Sequence, residues 1–220
     1  MSLLLEVSCP FMILFGLILT INVFQSNEWE QTDMSTIFSQ ANWMNGGIWE
    51  RCMNYANSGT VTCSGFDNFF LGLPLHIQAA RAFSISSLVF GAAGTLLSIF
   101  AVAFCPCASQ TAEYRVRVRL IGGICGIIGG LSIVAGVSWF ASSVMNTYYN
   151  SMMISPDSER LAFGNAIFIG WAAGAISLVG GLIAVCMWCA FSDHQEESLI
   201  SRKEVRHLKS YQPPQAQEYV

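Results

Sequence analysis

Four stretches of the 220-residue chain contain no Asp, Glu, Lys or Arg: residues 7–27, 82–112, 120–156 and 161–192. A bilayer's hydrocarbon core, about 30 Å thick, is crossed by roughly 20 apolar residues in a helix, so each stretch can hold one span. The runs are continuously apolar, whereas barrel strands alternate in segments of about ten, so the spans are helices. A soluble bundle would need amphipathic partner helices, and the chain offers none. Only 11% of residues are charged, against about 25% in soluble domains, which leaves too little polar surface for a water-soluble fold. The expected fold class is membrane α-helical: a four-transmembrane-helix bundle with helices near 4–24, 81–104, 119–141 and 162–190. One tetraspan domain, 1–191, is followed by a polar tail, 192–220, which contains Pro213-Pro214 and is expected to be disordered.

The first span lacks a basic n-region and an A-x-A-like cleavage site, so it is read as a retained helix. Orientation follows from Arg115, Arg117, Arg119, Arg202, Lys203, Arg206 and Lys209, seven of the ten basic residues. They put the middle loop and the tail in the cytoplasm, and with four spans the amino terminus as well. Residues 25–80 and 142–161 then form the extracellular loops. Cys52 and Cys63 are the two cysteines of the large loop, where oxidation is expected, and should pair. Asn57-Ser58-Gly59 between them reads as a hairpin turn. Cys105, Cys107, Cys186 and Cys189 fall at cytoplasmic helix ends and are candidates for palmitoylation. Passive reduced thiols or a zinc site are the alternative readings of those four. Cys9 and Cys125 are intramembrane packing groups.

No catalytic, cofactor or metal constellation is present. The three histidines are scattered, and no nucleophile elbow, H-E-x-x-H or phosphate-cradling loop occurs. The chain is therefore not expected to be an enzyme. The net charge of −4 excludes a nucleic-acid partner. Glycines instead recur at four-residue spacing, Gly122, Gly126 and Gly130 in the third helix and Gly170 and Gly174 in the fourth, as helix-packing positions. Glu6 and Arg81 lie near membrane boundaries and read as structural anchors that snorkel.

The large loop runs Trp29, Gly47-Ile48-Trp49, Cys52, Cys63 and then Gln78-Ala79-Ala80-Arg81, and this order resembles the claudins. Leu73–Ala82 is similar to the claudin stretch L-P-x-x-[LI]-Q-A-A-R-A, and Glu159 with Gly164–Ala173 resembles the opening of the claudin fourth helix. Tyr219-Val220 is similar to the family's final Y-V. The tryptophans, G-L-W-like triplet and cysteine pair are shared with a wider tetraspan superfamily, and Q-A-A-R and Y-V narrow the resemblance.

The resemblance implies a left-handed bundle carrying an antiparallel extracellular sheet of about five strands. Trp29 and Trp49 would anchor that sheet at the outer leaflet, and Asp67 would cap a short extracellular helix. It implies a protein of the plasma-membrane tight junction that joins other claudins in cis and in trans. The resulting strands seal the paracellular cleft or pass inorganic ions through it. PDZ scaffold proteins would bind Glu218-Tyr219-Val220. The alternative is a tetraspan auxiliary subunit of a channel or receptor.

Glu28, Glu30, Asp33, Glu50 and Asp67 against Arg51 leave the loop net acidic, the candidate basis of a cation preference. A carboxylate about 6 Å from an ion in water enriches it roughly threefold. Cation-pore claudins often carry an acidic residue where this chain has Tyr55 or Ser64, and many members have a basic residue at Glu30. Thr147–Ser151 replaces a D-F-Y-N-P-like run, with Tyr148 and Tyr149 keeping the aromatic character of a trans contact.

Overall fold

The computed structural model describes residues 3–33, 42–55, 58–66, 72–103, 112–154 and 160–210. Four helices, α1 (Leu3–Gln25), α2 (Leu75–Ala103), α3 (Ala112–Ile154) and α4 (Asn165–Ser210), are each long and apolar enough to cross a membrane. Each packs on its neighbours in the ring α1–α2–α3–α4. Five short strands sit at one end: β1 (Glu30–Thr32), β2 (Asn42–Gly46), β3 (Glu50–Tyr55), β4 (Thr60–Gly65) and β5 (Leu161–Phe163). They form one antiparallel sheet in the order β4-β3-β2-β1-β5. The fifth strand comes from the segment between α3 and α4, so the sheet joins the two halves of the chain.

In lipid there is little hydrophobic drive between helices, and close backbone approach supplies the contact instead. A Cβ on Gly94 would lie 2.8 Å from the carbonyl oxygen of Gly122, and one on Gly130 would lie 2.9 Å from that of Gly174. Gly126 faces Ile13 and Gly170 faces Val137 in the same manner. The glycines read from the sequence therefore pack α3 against α2 and α4, with Gly126 turned toward Ile13 of α1. At the sheet end, Val23, Ile77, Val137, Phe140 and Ile167 meet Trp29 and Ile48 in a core that joins all four helices to the sheet.

The helices outrun their expected limits. Helix α2 starts at Leu75 rather than near 81, because the amides of Ile77 and Gln78 bond to the carbonyl of Pro74 and start the helix there. Helix α3 continues to Ile154, thirteen residues past the expected 141. No Gly or Pro interrupts the chain between Gly136 and Pro156, so nothing stops propagation. Much of the expected second loop, 142–161, is thus helix. Helix α4 likewise extends to Ser210, through much of the tail expected to be disordered. Residues 182–212 contain neither Gly nor Pro and are rich in Glu, Leu, Arg and Lys, which favour helix.

Candidate functional site at the sheet-bearing end

Helix α1 ends beneath the sheet, and its last carbonyls have no partner within the helix. The indole N–H of Trp29 donates to the Val23 carbonyl at 3.0 Å, and that of Trp49 to the Phe24 carbonyl at 2.8 Å. The Trp29 ring meets Phe140 of α3 edge-on at 5.1 Å, and the Trp49 ring meets Phe24 at 5.0 Å. Gly47 must be small, because a Cβ there would sit 2.8 Å from the Ser26 carbonyl oxygen. Ile48 is buried, and its carbonyl accepts from Arg81 Nε at 2.7 Å. The Arg81 guanidinium carbon lies 4.5 Å over the Trp49 ring. Trp29, Gly47, Ile48, Trp49 and Arg81 are therefore one staple holding the sheet to α1 and α2.

This corrects two expectations. Trp29 is 0% exposed, so it anchors the sheet from inside the protein, by capping α1, rather than at the outer leaflet. Arg81 is 1% exposed and does not snorkel, because the earlier start of α2 places it nearly two turns inside the helix and under the sheet.

The Cys52–Cys63 disulfide forms across directly opposed residues of β3 and β4. The turn between those strands closes with Gly59 at φ +62° and its amide bonded to the Tyr55 carbonyl at 2.9 Å. Asn27 Nδ2 bonds to Glu50 and also approaches Cys52 Sγ at 3.8 Å, tying the hairpin to the end of α1.

The acidic residues expected to act alike are placed differently. Glu28 is exposed, and its carboxylate accepts from Asn165 Nδ2 at 3.0 Å. Asp33 and Glu50 are half-buried, and the Asp33 amide bonds to the Arg160 carbonyl at 2.7 Å. Glu30 is only 4% exposed, so it is not a charge at the rim. It pairs with Arg51 at 3.2 Å. Burial pushes its carboxyl above the ordinary range, and the neighbouring Arg51 guanidinium partly offsets this. Tyr55 and Ser64 are both exposed on the open half of the sheet.

Tyr148 and Tyr149 stand on the extension of α3, with rings 6.0 Å apart and edge-on. Tyr148 is half-buried, with the Arg160 guanidinium 5.8 Å over its ring, whereas Tyr149 is 59% exposed. They line a groove of about 360 Å³ together with Asp33, Val144, Met145 and Leu161–Phe163. Cys186 and Cys189 are exposed on α4. Cys9 is buried, its thiol 3.9 Å from Met187 Sδ. Asp67, Cys105, Cys107, Glu218, Tyr219 and Val220 lie outside the described residues.

The sequence reading assigned no role to Asn27 or Gly46, and marked Gly164 only as part of the stretch resembling the claudin fourth helix. A glycine inside a strand such as Gly46 is a signal of close approach, but the groups that approach it come from other strands. A Cβ on Gly164 would fall 1.9 Å from the Glu28 carbonyl oxygen, where β5 turns into α4.

Comparison with known proteins agrees with this construction. A family model described as the PMP-22/EMP/MP20/Claudin family matches residues 1–184. Human Claudin-18 is 33% identical over 76% of this chain and 67% of its own length. Dog Claudin-3 is 29% identical over 84% of both chains, and mouse Claudin-7 is 31% identical over 64% of both. With a four-helix bundle, a five-stranded sheet and the tryptophan–arginine staple between them, the chain belongs to the PMP-22/EMP/MP20/Claudin family, among its claudins.

Proposed function

We propose that this chain is a tight-junction strand protein that joins copies of itself or other claudins side by side in one membrane and head-on between cells. Its sheet would border the paracellular path. The observation that carries this is the staple, through which a short sheet, marginal alone in water, is bonded to the end of α1 and to buried Arg81 of α2. A platform fixed this firmly can present the same surface in every copy of a polymer. Both termini would lie in the cytoplasm, with Glu218-Tyr219-Val220 offered to a PDZ domain and Cys186 and Cys189 open to palmitoylation. Tyr149 would contribute to the contact between cells.

The path would prefer cations. With the charge of Glu30 spent on Arg51, the lining carboxylates of the described first loop would be Glu28, Asp33 and Glu50. The test is expression of the full chain in an epithelial monolayer depleted of its own claudins. Continuous strands by freeze-fracture and a sodium-over-chloride dilution potential are expected. High resistance without charge preference would make it a sealing claudin. Absence of strands, with the chain recovered in a stable complex with a larger channel or receptor, would replace the proposal with the auxiliary-subunit reading.

A further inference from the structure

The ion pair has an unusual placement. Glu30 on β1 and Arg51 on β3 are separated by a whole strand, and both are in register with Gly46 of β2. Strands lie about 4.8 Å apart, so residues two strands away do not normally touch. Here they meet because Gly46 has no side chain: a Cβ there would lie 2.5 Å from both Cγ and Oε1 of Glu30. The same register continues on one side to Phe163 of β5 and on the other to Ser64 of β4. The row therefore runs from a buried end at Glu30 to an exposed end at Ser64, with Arg51 between them at 39% side-chain exposure. The Arg51 guanidinium also lies 5.7 Å over the Phe66 ring, which holds it against the sheet.

We infer that Glu30 is an internal counter-ion that masks Arg51, and that this pair, bridged across Gly46, is the specificity-determining element of the sheet for the sign of the ion it passes. The inference rests on the reading of the sheet as the border of an ion path. Among the described residues, Arg51 is the basic residue on the open half of the sheet, and its charge is cancelled from behind by a carboxylate that ions do not reach. Glu30 thus acts through Arg51 as a positioning and neutralising residue. Removing Glu30 does not delete a lining charge; it uncovers a positive one. A unit charge about 6 Å from an ion in water changes its local concentration about threefold, with opposite signs for cations and anions. Unmasking Arg51 should therefore lower the sodium-to-chloride permeability ratio by roughly five- to tenfold before screening.

The test is a double-mutant cycle read in two ways on the full-length chain. In the claudin-depleted monolayer, Glu30→Gln is expected to shift the dilution potential toward anions by that factor. Arg51→Gln alone should change it little, because Glu30, buried and left without the guanidinium, takes up a proton and carries no charge to act on the ion. The double variant should return close to wild type. Glu28→Gln, at an exposed carboxylate, serves as the ordinary lining control, and its effect should be the same with or without Arg51. If Glu30→Gln shifts selectivity equally in the wild-type and Arg51→Gln backgrounds, Glu30 is a lining charge and the inference is overturned. Thermal unfolding of wild type, the two single variants and the double variant, purified in detergent, gives a readout without a pore. Glu30→Gln should be clearly less favourable to the melting temperature with Arg51 present than without it, because only with Arg51 does the substitution remove an ion pair. Additive melting shifts would overturn the pair itself. Coupled melting shifts with no conductance in any variant, wild type included, would instead show that the ion-path reading has failed, and the masking role with it.

Discussion

At the residue scale the determining groups are polar ones removed from water. Trp49→Phe keeps the ring beside Phe24 and under Arg81 but leaves the Phe24 carbonyl without its donor. A cost of about 1–2 kcal/mol is expected in detergent unfolding. Arg81→Gln should cost more, since it removes both the bond to Ile48 and the cation over Trp49. Glu30 gives a pH signature. Its folded carboxyl is raised above the ordinary value of 4.5, so across the interval above that value the folded state binds more protons than the unfolded one. Stability should therefore fall as pH rises through that interval, and Glu30→Gln should flatten this part of the profile. Melting temperature recorded from acid to neutral pH checks the sign. A rise with pH that the substitution abolishes would contradict it.

At the element scale, helices are joined by absence of side chains and the hairpin by a covalent bond. Gly174→Leu would drive a side chain into Val134 Cγ2, which a Cβ alone would already approach to 2.3 Å. Separation of α3 from α4 is expected, seen as retention of the protein inside the cell and loss of a cooperative unfolding transition. Gly65→Ala is the matched control, because nothing lies within 4 Å of a Cβ there, and it should behave as wild type. Closing the eleven-residue separation between Cys52 and Cys63 contributes roughly 2–3 kcal/mol by loop entropy. Cys52→Ser with Cys63→Ser should lower stability by about that amount. The Trp29 and Trp49 staples would remain, so hydrogen exchange is expected to rise in β4 before it rises in β1.

At the scale of the whole molecule, the sheet, the end of α1 and the extension of α3 form one head above the spans. Helix α3, 43 residues and so about 65 Å long, is roughly twice the bilayer core. Its outer turns carry Tyr148 and Tyr149 to the level of β5. The two tyrosines should separate by assay. Tyr149→Ala, on an exposed ring, should reduce strand contact between cells and leave the melting temperature unchanged. Tyr148→Ala, half-buried under Arg160, should lower the melting temperature as well. Equal effects of both on stability would show that the pair is packing rather than contact surface.

The span count, the hairpin disulfide and the glycine seam were legible because each is a local or periodic property. Charge-free length reports bilayer thickness, thiol placement reports compartment, and four-residue spacing reports a helix face. The motif residues Trp29, Gly47, Ile48, Trp49 and Arg81 were legible only as a resemblance, since nothing in their spacing says that the two indoles cap α1. The acidic loop shows the limit most plainly. Glu28 and Glu30 flank Trp29 on either side, yet one is exposed and the other is enclosed. Composition sums charges without regard to depth. Register decides depth, because only strand pairing aligns Glu30, Gly46 and Arg51 and lets a missing side chain bring two distant charges together.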